Sequence, residues 1–196
     1  HLGFLNPNEF RHAPEYEKEY LVKANWALYV ENYLEGFHIP FVHNQSFGNM
    51  LDAQNYTTLL YEHASVQVGY ANESDYCFNL PEGHPEHGKR VAAYYYWLFP
   101  NIMFNVYPYG IQVNVVKPLT KNSCKVHFIF YIKDQEIFEA MDAAALAAKV
   151  EREDEFVVEG VQKGLQSRFY KNGRFSPRHE TGVHHFQQLV QQFFSE

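Results

Sequence analysis

Two histidines and one distant aspartate are the residues of this chain best suited to hold a metal. His38 and His43 stand five residues apart in the run Glu35-Gly36-Phe37-His38-Ile39-Pro40-Phe41-Val42-His43. On an unbroken helix that spacing turns the two side chains about 140° apart, away from a shared face. Pro40 changes the geometry, because it supplies no amide donor and disfavours helix at Ile39. A helix ending near His38 lets the chain turn His43 back toward the same point. The spacing permits a two-histidine site without requiring one, and two ordinary polar residues at a helix end fit it as well.

The third residue lies far along the chain, in the segment from Val150 to Leu165. Helical spacing gives Val150, Val157, Val161 and Leu165 one apolar stripe. Asp154 falls inside that stripe, Glu151 and Glu155 lie to its sides, and Glu153 is expected to point elsewhere. A carboxylate on a buried face is costly unless it is paired or bound to a cation. A buried Arg or Lys partner, or a place near a helix start where the dipole favours negative charge, would also account for it. Two imidazoles and one carboxylate, with open positions opposite, form the donor set of oxygen-activating Fe(II) sites. The same ligands could hold Zn2+ and a water in a hydrolase.

The elements that would position these residues are legible in outline. Residues 26–38 have helical spacing behind Asn25, a suitable N-cap. From about 56 to 132 the chain is rich in β-branched and aromatic residues, broken by turn-forming stretches at 81–89, 107–110 and 118–123. Helices are expected over 135–148, 149–170 and 180–195. The pattern predicts an α+β fold, one antiparallel sheet with a buried face and helices packed against it. Residues 1–20 are polar, contain Pro7 and Pro14, and read as a linker or arm arriving from an upstream domain; 21–196 would be the functional domain.

Composition narrows the partners. The 196 residues carry 16 basic and 23 acidic side chains, a formal net charge of −7, with no Lys/Arg-rich run. Nucleic acid and anionic membranes are therefore not expected as partners. No apolar run reaches the length of a membrane span, and no signal peptide is legible. Aromatic residues make up 17%, enough to line either a large core or a pocket for a flat or apolar ligand. Cys77 and Cys124 are isolated, which suits the reducing cytoplasm and cannot supply the paired Cys and His motifs of a Rieske [2Fe-2S] centre. His84 and His87 sit in a Pro/Gly-rich turn and are expected to be solvated. His179, His184 and His185 flank the last helix and could line a surface or a pocket.

The run from Asn25 to His43, NWALYVENYLEGFHIPFVH, resembles the iron-ligand motif of Rieske-type, ring-hydroxylating oxygenase α subunits. The later stretches WLFPNIMFNVYPYGIQVNVVKPL and EDEFVVEGVQKGLQSRFYKNGRFSPRHETGVHHF resemble the central sheet and C-terminal helices of that family's catalytic domain. The resemblance spans roughly residues 20–190. It implies a helix-grip fold, a curved antiparallel sheet wrapped around a long C-terminal helix. It implies that His38, His43 and Asp154 ligate a mononuclear Fe(II), and that Glu35 bridges this site to a Rieske histidine on a neighbouring subunit. Asn32 resembles a residue found near that iron. The family would oxidise a small organic substrate with O2, with electrons passing from NAD(P)H through a reductase or ferredoxin to the [2Fe-2S] cluster, in a homo-oligomer, a trimer by resemblance. The Rieske motifs themselves are absent from the sequence, so the cluster would belong to an upstream domain or a separate protein. A non-catalytic helix-grip carrier and a metal-dependent hydrolase are the competing readings. Substrate identity, and monooxygenation, demethylation or dihydroxylation, stay open.

Overall fold

The β-branched and aromatic runs build one antiparallel sheet, seen in a computed structural model that describes residues 1–43, 57–73 and 75–195. Its strands are β1 (Arg11–His12), β2 (Lys18–Val22), β3 (Thr57–Tyr61), β4 (Ala64–Tyr70), β5 (Val91–Leu98), β6 (Ile102–Tyr107), β7 (Gly110–Thr120) and β8 (Ser123–Ile132). They run in the order β1-β8-β7-β6-β5-β4-β3, with β2 also paired to β8. Consecutive strands from β3 to β8 are neighbours, a meander whose register sorts side chains by period two. Within residues 1–22, β1 pairs Arg11 and His12 with Ile132 and Tyr131, and β2 pairs its five residues with Phe128 through Cys124.

On one sheet face Trp97, Met103, Val116, Val126 and Phe130 are buried in a core shared with the helices. The sequence pattern predicts only this buried face. The opposite face is covered too, over β4, β5 and β6, where Val66, Val68, Tyr94 and Val106 pack under Phe78 and Leu80, with Leu2, Phe4 and Leu5 at the margin. His84 belongs to this cover and is not solvated: its side chain is 5% exposed, and its Nε2 lies 2.8 Å from the His1 carbonyl oxygen. His87 is exposed as expected.

Helix α1 (Trp26–Tyr33) starts where predicted, with the Asn25 side chain accepting from the Ala27 amide at 3.0 Å. It stops five residues before 38. The Pro40 ring would clash with the carbonyl of residue 36 in a continuous helix. The Glu35 carboxylate, moreover, takes the amides of Phe37 and His38, so the chain turns there. A short helix α2 (Ile39–Val42) follows, with His38 and His43 as its two caps.

Helix α3 (Gln135–Ala140) is capped by Asp134, whose side chain accepts from the Ile137 amide at 2.9 Å. The chain breaks at Asp142, which has φ +47°, and enters α4 (Ala143–Leu165). The break falls at 141–142 and not at 148–149, so the Ala-rich stretch is the first half of the long helix. The helix also ends at Leu165, short of the expected 170. Helix α5 (Thr181–Ser195) closes the fold. Gly182 lies so close to the end of α1 that a Cβ there would meet the Leu34 carbonyl at 2.6 Å, so only glycine fits the crossing. The long helix faces the sheet as the helix-grip architecture requires.

The buried face of α4 corrects the apolar stripe. Ala143, Ala148, Glu151 and Val158 are buried, while Val161 is 46% exposed. The face that turns inward carries two carboxylates, Glu151 and Asp154, and the valines chosen for the stripe lie partly outside it. No helix among the described residues is long and apolar enough to cross a membrane.

Candidate metal centre

The turn after α1 and the inward face of α4 bring three donors together. His38 Nε2 and His43 Nε2 are 3.1 Å apart, and Asp154 Oδ1 lies 3.4 Å from the first and 3.0 Å from the second. The α1–α2 turn does this by presenting its two caps on one side. The two imidazoles meet nearly edge-on, at an interplanar angle of 75°. Donors about 2.1 Å from one ion and at right angles lie about 3 Å apart, so the triangle matches one face of an octahedron around a first-row metal. Among the described residues no other group of three or more His, Cys, Asp or Glu side chains converges this way.

Each imidazole is held from behind. Glu35 Oε1 lies 2.5 Å from His38 Nδ1, and Glu153 Oε2 lies 2.7 Å from His43 Nδ1. Asn32 Nδ2 donates to Asp154 Oδ1 at 2.9 Å. Bonds from Nδ1 leave Nε2 as the free donor and fix the ring planes. Glu153 therefore does not point elsewhere: α2 packs beside α4 and brings His43 to it. A carboxylate next to a candidate ligand on a helix was the available signal, but its target could not be found without the α2–α4 contact.

The electrostatics suit a cation. Burial alone would raise the Asp154 carboxyl, yet hydrogen bonds from His38 and His43 outweigh it and hold its pKa down at about 2. Burial would lower both histidines. Bonds to Asp154 and Glu35 instead push His38 up to about 9, and Asp154 and Glu153 raise His43. The metal-free site thus draws protons to the positions a metal would take.

The triad opens onto a cavity of about 310 Å3 between the inner sheet face and α4. Tyr29, Tyr33, Tyr95, Tyr107 and Phe128 supply much of its wall, and Asn105, Gln112 and Asn114 its polar floor. Glu35, His38, His43 and Asp154, the four residues singled out in the sequence, all border it, as does Asn32. Sequence reasoning set Glu151 to the side of the stripe and missed its burial: it is 1% exposed and receives a hydrogen bond from the Tyr29 hydroxyl. Its spacing of three from Asp154 was the signal, since residues i and i+3 share a helix face. His179, His184 and His185 do not border this cavity.

Several known proteins are similar to this chain over most of its length. Choline monooxygenase of Arabidopsis thaliana, a chloroplastic protein, is 32% identical over 180 residues, 88% of this chain and 40% of its own length. The carnitine monooxygenase oxygenase subunit of Escherichia coli K12 is 29% identical over 184 residues, 88% of this chain and 48% of its own. The solved structure of a quaternary ammonium Rieske monooxygenase superposes with a TM-score of 0.77 at 25% identity, covering 95% of this chain and 51% of that one. A naphthalene 1,2-dioxygenase from Rhodococcus shares the fold, with a TM-score of 0.68 at 14% identity. The chain spans about half or less of the length of the relatives it matches. Its residues 10–196 match the ring-hydroxylating α subunit (catalytic domain) pattern, and the chain belongs to that family of Rieske-type oxygenases.

Proposed function

We propose that this chain is the oxygen-activating domain of a Rieske monooxygenase acting on small quaternary ammonium compounds, with His38, His43 and Asp154 as the ligands of a mononuclear Fe(II). The observation that carries this reading is the triangle of three donors, 3.0–3.4 Å on each edge, opening onto an aromatic cavity. When bound, Fe(II) in such a site supplies O2 activation at its open positions. A carrier has no use for the triad, and the family match favours an oxygenase over a hydrolase.

The residues divide the remaining work. Glu35 and Glu153 orient the imidazoles, and Asn32 orients the Asp154 carboxylate. The tyrosine-rich wall excludes water and offers ring faces to an ammonium group, the recognition mode of aromatic cages. The choline and carnitine specificities of the named relatives motivate the substrate class. Monooxygenation is favoured over dihydroxylation on the same ground.

Glu35 also serves as the bridge to a Rieske histidine on a neighbouring subunit. It accepts from the amide of Phe37, whose ring meets that of Phe41, and these two rings, 53% and 76% exposed, suit a homo-oligomeric contact. Electrons would come from a [2Fe-2S] cluster in an upstream domain or a separate protein, fed by a reductase that draws on NAD(P)H. Cys77 and Cys124 are free thiols, in keeping with a reducing compartment such as the cytoplasm.

The test is anaerobic loading. The protein should bind about one Fe(II) per chain, and His38→Ala should lose most of it while keeping the wild-type circular dichroism. In the complete protein, with the [2Fe-2S] cluster reduced, the iron-loaded site should place one atom of 18O2 in the product of a trimethylammonium substrate, trapped by reduction before its carbonyl oxygen exchanges with water. Full iron retention by His38→Ala would overturn the ligand set, and label-free product would overturn the chemistry.

A further inference from the structure

Two carboxylates face inward from α4, and the metal triad uses only Asp154. Glu151 is 1% exposed, borders the same cavity, and has one oxygen bonded by the Tyr29 hydroxyl. Its other oxygen, Oε1, is buried with no hydrogen-bond partner. A buried carboxyl left half-satisfied carries a substantial penalty, so the structure keeps it only where something offsets the cost.

The charge balance of the cavity says what that partner is. Among the described residues lining it, Glu35, Asp75, Glu151 and Asp154 are acidic, and none is Lys or Arg. The sequence between 44 and 56 contains no Lys or Arg either. His38 and His43 are committed to the triad, Glu35 and Asp154 are bonded to them, and Glu151 keeps a buried oxygen that none of these groups reaches.

We propose that Glu151 reads the positive charge of the substrate, and that the cavity therefore takes a small organic cation bearing no carboxylate of its own. This rests on the reading of the cavity as a site for quaternary ammonium compounds. Burial, and then the neighbouring carboxylates Asp154 and Glu155, drive the Glu151 carboxyl well above the ordinary carboxylate range, with only the Tyr29 bond acting the other way. A cation beside it offsets both. The attraction needs no direct contact, because the apolar wall screens it far less than water would. A zwitterion would gain at its ammonium end but bring a carboxylate into a cavity whose described lining offers it no Lys or Arg.

Calorimetry on the iron-loaded protein, without O2, tests this with three probes. These are choline, its neutral carbon isostere 3,3-dimethylbutan-1-ol, and carnitine. Wild type should bind choline at least about tenfold more tightly than either of the others. Glu151→Gln, which keeps an acceptor for Tyr29, should lose that preference while binding the neutral isostere as wild type does. Retained isostere binding certifies a folded cavity, and Glu151→Asp, with its charge intact, should keep part of the preference for choline. Equal binding of choline and isostere by wild type, or unchanged choline affinity in Glu151→Gln, would overturn the role of Glu151. Carnitine bound as tightly as choline would overturn the exclusion of zwitterions. Failure of all three probes to bind would sink the substrate class itself, which iron content and 18O2 incorporation judge separately from the metal site.

Discussion

Asp154 and Glu151 sit one turn apart on the same face of α4, both drawn out of water, yet their carboxyls behave in opposite ways. Asp154 meets two imidazoles and an amide, and is held ionised with a pKa of about 2. Glu151 meets one phenol, and burial drives it toward the neutral form. Desolvation acts on both, so the difference lies in what the facing elements bring: the α1–α2 turn delivers His38 and His43 to one, and the middle of α1 delivers Tyr29 to the other. The lesson is that α4 alone does not assign roles to its acids. The helix opposite assigns them.

Removing the ionised member of the pair should have the largest effect. Asp154→Ala should weaken Fe(II) binding beyond the roughly 100-fold that loss of an outer partner can cause, read by anaerobic titration. Glu151→Ala should leave iron content unchanged in the same assay. If the two variants lose iron equally, the contrast drawn between the two carboxylates is wrong.

Next in size is Glu35, one of the two carboxylates that hold the imidazoles facing Asp154. In the complete, pre-reduced protein, Glu35→Gln should slow single-turnover product formation by up to about 100-fold while iron content stays near normal at saturating Fe(II). A wild-type rate would leave Glu35 as an orienting residue only. Glu153→Gln should do the reverse and less: about a tenfold loss of iron affinity, with an unchanged rate per bound iron. A slower rate per iron in Glu153→Gln would place the electron route behind His43.

The sequence exposed the parts of this site that depend on local order. Pro40 foretold that His38 and His43 could converge, and they do, since the turn forms from residues a few places apart. Asp154 stood out as a charge at a buried helical position. The registers that failed share one cause. The stripe of Val150, Val157, Val161 and Leu165 was traced through apolar residues, but the buried face of α4 is partly built of acids, so hydrophobicity pointed beside it. Glu153 and Glu151 acquire their roles from His43 and Tyr29, 110 and 122 residues away, and no periodicity within α4 reports those partners. The same holds for His84, which packs under a segment that arrives from the first five residues.

The smallest effect expected is also the sharpest check on Glu151. Its folded-state pKa is raised, so the native protein holds this proton more strongly than the unfolded chain does. Below the unfolded value of about 4.3 the carboxyl is neutral in both states and adds no pH dependence to the stability. As the pH rises above that value the unfolded chain releases the proton and the native state does not, so stability falls, by at most about 1.4 kcal/mol per pH unit. Glutamine has no proton to release. Metal-free wild type and Glu151→Gln, unfolded in urea between pH 5 and pH 8, should therefore diverge, with the variant gaining relative stability as the pH rises. Taking the difference between the two proteins cancels the titrations of His38, His43 and Asp154, which both share. Parallel stability curves over that range would mean that Glu151 ionises in the folded protein as it does in water, and the contrast with Asp154 would then rest on geometry alone.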